Sequence, residues 1–136
     1  MSRKVAQVIC IIAMLCMMAG CGGKQDKTEK LRDLKFEVMS SEQIPEELKK
    51  ILEEEKKESF KLTFTDESKQ YICVGYGQQP TGGYSISVTE LYETENAVYV
   101  HANLLGPSAE EMKKPIPSYP YIVIRLEKQE KTVVFE

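Results

Sequence analysis

The chain is 136 residues long and carries 18 Lys and Arg against 21 Asp and Glu, a net charge of −3. That length bounds it to one compact domain. The acidic balance argues against a nucleic-acid partner, which asks for a basic patch, and a single histidine leaves little material for histidine-based catalysis.

In chain order, Ser2-Arg3-Lys4 is a short basic start, and Val5 to Met18 is an apolar run interrupted only by Gln7. The run is shorter than the roughly 20 residues that cross a bilayer as a helix, so residues 1–20 read as a cleaved signal peptide. Met18-Ala19-Gly20-Cys21 resembles the bacterial lipobox, with Met18 where that pattern prefers Leu. The resemblance implies cleavage before Cys21, lipid on Cys21, and a protein held on the extracytoplasmic face of the bacterial cell membrane. Each buried acyl CH₂ contributes about 0.8 kcal/mol to such an anchor. Removing residues 1–20 takes Arg3 and Lys4 but no acid, leaving 16 basic and 21 acidic residues, a net charge of −5. Cys10 and Cys16 leave with the signal and Cys21 takes lipid. Cys73 then stands alone, so no intrachain disulfide is available, and it reads as a small buried apolar residue.

Residues 21–34 are polar and charged from Gly22 onward, and read as a tether averaging roughly 20 Å end to end. Residues 35–136 form the expected domain. Lys35–Met39 is a short strand with Phe36 and Val38 on one face. Ile44, Leu48, Ile51 and Leu52 then form an apolar helical stripe, with Glu46 to Lys50 and Glu53 to Lys57 as i,i+4 pairs on the other side. Ser40-Ser41-Glu42-Gln43 fits a capping box and Pro45 suits a first turn.

From Ser59 the period changes to two. Phe60, Leu62 and Phe64 alternate with polar residues, and Asp66-Glu67-Ser68-Lys69 marks a turn. Ile72, Val74 and Tyr76 follow. Ile86 and Val88 lead to a hairpin connection at Glu93-Thr94-Glu95-Asn96. Val98, Val100, Ala102 and Leu104 share the next strand face. Gly106 to Ser118 is a long loop in which Ser108-Ala109-Glu110-Glu111-Met112 forms a helical turn. Tyr121–Leu126 is a central strand by composition, and Thr132–Phe135 closes an edge. Six or seven short strands and one helix predict a mainly β, α+β domain. Its expected form is an antiparallel β-sandwich or half-barrel with the amphipathic helix packed on it.

Between the runs Tyr71–Tyr76 and Ser85–Thr94 lies Gly77-Gln78-Gln79-Pro80-Thr81-Gly82-Gly83-Tyr84. Gly82 and Gly83 admit positive φ, and Pro80 presets φ for a tight turn. Gln78, Gln79 and Thr81 offer hydrogen-bonding groups, and Tyr84 a ring with a polar tip. The stretch reads either as a plain hairpin turn or as a recognition loop on a β scaffold. As a recognition loop, its contact residues are Gln78, Gln79, Pro80, Thr81, Gly82, Gly83 and Tyr84, with Pro107, Pro117, Tyr119 and Pro120 as a candidate companion loop.

The chemistry is otherwise sparse. Gly77 and Gly82 have phosphate-loop spacing, but Gly83-Tyr84 replaces the required Lys and hydroxyl residue. Gly75 and Gly77 lack the third glycine of a dinucleotide fingerprint. His101 has no acid and nucleophile at hand for a triad, and no cluster has metal-ligand spacing. The residues therefore indicate no enzyme, no cofactor and no metal.

Gly77-Gln78-Gln79-Pro80-Thr81-Gly82-Gly83-Tyr84-Ser85-Ile86, with Gly106-Pro107 and Ser118-Tyr119-Pro120-Tyr121, resembles the PrcB C-terminal domain family over about residues 70–128. The family is named for an accessory lipoprotein subunit that binds and stabilises a secreted subtilisin-like protease. The resemblance implies a surface-anchored accessory module whose loop binds a protein partner, a secreted protease among the candidates. Gln79-Pro80-Thr81-Gly82-Gly83-Tyr84 is also similar to the Asn-Pro-Thr-Thr-Gly-Tyr loop of chagasin-type cysteine-protease inhibitors, although their Gly-x-Gly-Gly and Trp loops have no counterpart here. The alternative reading is a structural or ligand-binding cell-envelope lipoprotein with no protease partner, in which the Pro-Thr-Gly-Gly-Tyr turn is conformational hardware.

Overall fold

A computed structural model describes residues 29–136. The expected signal segment 1–20, the lipidation site Cys21 and most of the expected tether lie outside the described residues. The strands are β1 (Arg32–Asp33), β2 (Glu37–Val38), β3 (Ser59–Asp66), β4 (Lys69–Tyr76), β5 (Ser85–Glu93), β6 (Ala97–Leu105), β7 (Tyr121–Glu127) and β8 (Thr132–Phe135). Helix α1 spans Glu46–Glu55 and helix α2 Ala109–Met112.

The packing follows from β4 and β7, which are apolar on both faces. On β4, Ile72 and Val74 point one way, while Tyr71 and Cys73 point the other, and all four are buried. On β7, Val123 and Ile124 repeat the pattern. An apolar sheet with two apolar faces needs a cover on each. The inner sheet, ordered β2-β7-β4-β3, is therefore sandwiched. Tyr71, Cys73 and Val123 meet Leu48 and Leu52 of α1, with Phe60, Leu62 and Phe64 of β3 at the margin. Ile72, Ile124 and Leu126 meet Leu91, Val98 and Val100 of the outer sheet, ordered β1-β5-β6-β8. The domain thus has three layers: helix, inner sheet, outer sheet. This is the sandwich of the two expected forms, since the sheets are separate and do not close.

The helix is placed by its stripe. Ile44, Leu48 and Leu52 are buried, while Ile51 is half-buried at the margin. The capping box belongs to a separate 3₁₀ turn, Ser41–Gln43, where Gln43 Oε1 accepts from Ser40 N at 3.0 Å. α1 starts only after Pro45, whose extended φ/ψ separates the two. The charged pairs that form are Glu46–Lys49 and Glu53–Lys56, at i,i+3 rather than the expected i,i+4.

Other expectations are corrected. Strand β8 pairs parallel, not antiparallel, with β6. The chain leaves β7 at the end where β6 begins, crosses to the outer sheet and must run the same way. Val38 is exposed, because the chain crosses between layers here: Leu34 and Phe36 pack in the inter-sheet core, then Met39 packs under the helix. The polar stretch read as a tether reaches into the fold at its end. Arg32 and Asp33 pair with Glu93 and Tyr92, and Leu31 N donates to Glu93 O at 2.7 Å. Two residues of strand are too few to leave a periodic signal.

Glu93 fastens this entry. Arg32 Nε lies 2.7 Å from one carboxylate oxygen and Lys131 Nζ 2.6 Å from the other. Those hydrogen bonds, from Lys131 first, hold the carboxyl below its usual range. The adjacent connections are tight: Thr94, fully buried, accepts from Asn96 N and Ala97 N, and Glu67 takes a φ of 45° in the two-residue β3–β4 turn.

Leu48→Ala removes a fully enclosed side chain between helix and sheet and should cost about 2–5 kcal/mol. Ile51→Ala, at the margin, should cost clearly less. Thermal and denaturant melts of the two variants check this, and equal, negligible shifts would mean α1 is not docked.

Candidate functional site

Two long connections share one end of the sandwich. Residues 77–84 carry the chain from β4 in the inner sheet to β5 in the outer sheet. Residues 106–120 carry it back from β6 to β7. Gly75 pairs with Tyr121 in the inner sheet and Ser85 with Leu105 in the outer sheet, so the crossings start and finish side by side. The stretch 77–84 is therefore not a hairpin turn. Its flanking strands lie in different sheets, which no local pattern announces.

The crossings are stitched together. Gln79 N donates to Ser118 O at 2.8 Å and Ser118 N to Gln79 O at 3.1 Å, an isolated antiparallel bridge. Ser118 Oγ donates to Thr81 O at 2.7 Å, and Tyr76 N donates to Pro120 O at 3.1 Å. Gly77 leaves β4 at a φ of 74°, and Gly83 turns into β5 at 85°. A side chain at Gly83 would place Cβ 2.7 Å from Glu111 Cγ and 2.9 Å from Pro107 Cβ. The missing side chain at Gly83 is what lets the two loops close on each other. Gly82 keeps negative φ, so only one glycine of the pair is needed for backbone shape.

Each predicted loop residue now has a place. Gln78 and Pro80 are exposed, Gly83 is exposed at the seam, and Gln79, Gly82 and Tyr84 are half-buried. Gln79 Nε2 donates to Tyr76 O at 3.0 Å, so its side chain is occupied within the loop. Thr81, expected as a contact group, is only 8% exposed. Its Oγ1 donates to Gly82 O and its carbonyl takes the Ser118 bond, so it is a fastener beneath the surface. Pro80 sits in a bend rather than a hydrogen-bonded turn. On the companion loop, Pro107 packs on Gly83 and Pro117 is exposed. Tyr119 is half-buried, with Lys56 Nζ of the turn after α1 5.8 Å from its ring centre. Pro120 supplies the carbonyl to Tyr76. The helical turn α2 forms as expected, with Ser108 Oγ accepting from Glu111 N at 3.3 Å.

Several residues were not anticipated. Ser118 joins the loops, and Glu111 packs beside Gly83. Five large apolar side chains are exposed among the described residues, and three of them, Leu105, Met112 and Ile116, lie on or beside the companion loop. Nothing in a Pro-rich, charged loop marks Met112 and Ile116 as outward-facing, since a one-turn helix has no periodicity to read.

The Cys73 thiol and the His101 ring are each held within the sheets. Cys73 is fully enclosed, and burial pushes its thiol up to about 12, far from a thiolate at neutral pH. His101 Nδ1 lies 2.8 Å from Thr89 Oγ1 at the β5 bulge. Thr89 Oγ1 also donates to His101 O, so the pair braces the bulge. Among the described residues no group of three His, Cys, Asp or Glu is placed to hold a metal.

Gly83→Val should lower stability by about 1–3 kcal/mol, combining left-handed strain with the clash at Pro107 and Glu111. Thr81→Ala should also lower it, by about 1 kcal/mol, the usual worth of a buried hydrogen bond. Gln78→Ala should be silent. Melting curves of the three variants check this order, and equal stability for all three would mean the loops are not joined.

Comparison with curated proteins gave no match, and comparison with solved structures gave none either. The family model described as PrcB C-terminal matches residues 70–127. Those limits run from β4 to β7 and take in both crossings and the bridge between them, while leaving out α1 and β8. Over Gln70–Glu127 the chain is similar to the PrcB C-terminal family.

Proposed function

We propose that this is a non-enzymatic, lipid-anchored accessory module that holds a secreted protein partner, a protease in keeping with the family resemblance, on the surface made by residues 77–84 and 106–120. The observation that carries this reading is the concentration of exposed apolar side chains there. Leu105, Met112 and Ile116 are exposed on or beside residues 106–120, and Gln78, Pro80 and Pro117 are exposed on the same two loops. Exposed apolar side chains on a rigid scaffold suit protein contact.

The chain direction supports the same reading. Arg32–Asp33 enters beside Glu93, at the end opposite the joined loops. An anchor at Cys21 leaves the chain entering from the membrane side and the loops facing outward. Strands of eight or nine residues set the two ends roughly 25–30 Å apart. The alternative, a ligand-binding envelope protein, draws on a cleft of about 630 Å³ lined by Leu34, Lys35, Phe36, Glu37 and Arg125. Its charges are largely spent on each other, in the Arg125–Glu37 and Lys69–Glu127 pairs, which makes it the weaker candidate.

Two outcomes are expected. Cys21→Ser should abolish metabolic labelling by a fatty acid and release the protein from the membrane fraction or leave the precursor uncut; equal labelling of both forms contradicts the anchor. Met112→Asp with Ile116→Asp should leave the melting temperature nearly unchanged, since exposed changes stay within about 0.5 kcal/mol. The same double variant should fail to retain a secreted protease that the unaltered protein captures from the extracytoplasmic fraction. Equal capture by both, or capture of no protein, counts against the partner-binding reading.

A further inference from the structure

The outer sheet is unevenly built. β1 covers β5 only from Leu91 to Glu93, through the Arg32 and Asp33 pairings and a 2.9 Å bond from Leu34 N to Leu91 O. Beyond that point the chain turns away to β2 in the inner sheet. Among the described residues, no strand lies beside Ser85–Glu90 on that side.

The hydrogen-bond alternation fixes which groups are left. Val100 O accepts from Glu136 N on the β8 side, so the odd-numbered residues of β6 face β5. Asn103 and Leu105 pair with Ser87 and Ser85, so these two serines bond to β6. Ile86 and Val88 therefore aim their N–H and C=O groups at the open edge. Both side chains are half-buried; Val88 packs against the inter-sheet core, as Ile122 does, and Ile86, two residues earlier, shares its face. The register shift between Val88 and Glu90 closes the bottom of this stretch.

Other edges of the sandwich are protected. β3 carries Lys61, which pairs with Val74 and so shares its inward face. Lys61 is exposed, and a lysine on an edge strand disfavours docking of a further strand there. β2 and β8 are short, at two and four residues. Ser85-Ile86-Ser87-Val88-Thr89 is longer, holds no charge and has good β propensity. It also follows directly on Tyr84 of the joined loops.

We propose that the edge of β5 from Ser85 to Val88 takes an extended segment of the protein partner as an added antiparallel strand, in line with β1. The inference rests on the partner-binding reading and gives that partner a chemistry. It is an extended peptide with alternating small or β-branched apolar side chains, bonding to Ile86 and Val88 and placing every second side chain against Val88 and Ile122.

The test uses the full-length mature protein and a capped nonapeptide of alternating Thr and Val with Lys at both ends. This probe does not depend on a natural partner being known, so its failure and the failure of the partner-binding reading are separable. Amide hydrogen exchange of Ile86 and Val88 should slow by about tenfold or more at saturating peptide, with no change at β3. Ile86→Pro removes one edge N–H at a position where proline is tolerated. It should abolish this protection, while Leu104→Pro, the matching change on the opposite edge, should keep it. Melting curves must show both variants folded. Should Ile86→Pro unfold the protein, Ser87→Lys, which adds a charge at the same edge, replaces it with the same expectation. Protection at β3 or β6 instead, no protection anywhere, or protection that rises with protein concentration without peptide would each overturn the proposal. The last result would assign the edge to a second copy of the chain.

Discussion

The constraint on which the structure depends is that β4 and β7 are apolar on both faces. Tyr71, Ile72, Cys73 and Val74 are consecutive and all buried, so neither side of the inner sheet tolerates water. At roughly 1.5–3 kcal/mol for each large side chain fully buried, leaving either face open is not an available state for a domain of this size. The helix supplies one cover and the outer sheet the other.

The covers force the chain to move between layers repeatedly. It crosses after β1, β4, β6 and β7. The crossings after β4 and β6 leave from the same end in opposite directions, and this is what brings residues 77–84 against 106–120. The candidate site is thus a by-product of the core: two sheets that must stack put two long connections side by side. Gly83 and the Gln79–Ser118 bridge turn that proximity into a single surface.

Much of this was legible in the sequence, because it depends on local periodicity. The stripe of Ile44, Leu48 and Leu52, the alternation of Phe60, Leu62 and Phe64, and the turn residues at 66–69 and 93–96 each placed an element correctly. What was not legible depends on partners distant in sequence. Thr81 looks like a surface hydroxyl until Ser118, 37 residues away, is laid across it. The stretch 77–84 looks like a hairpin turn until its two strands are assigned to different sheets. The parallel pairing of β8 and the two-residue β1 follow from where the chain re-enters each sheet, and no window of local sequence carries that information. Gly75, set aside in the sequence as lacking the rest of a dinucleotide fingerprint, is explained by packing, since a side chain there would sit 2.1 Å from the Phe60 ring.

The two crossings behave as one unit, and amide exchange at the bridge measures that directly. Gln79 N and Ser118 N bond to each other's carbonyls at 2.8 and 3.1 Å. Under conditions where reclosing is fast relative to intrinsic amide exchange, both amides should show the same protection factor. Both should also lose that protection together in Gly83→Val, while Ile72 keeps its own. Equal, unprotected exchange at Gln79 and Ser118 in the unaltered protein, or loss at one without the other in the variant, would contradict the joined surface on which the proposed function rests.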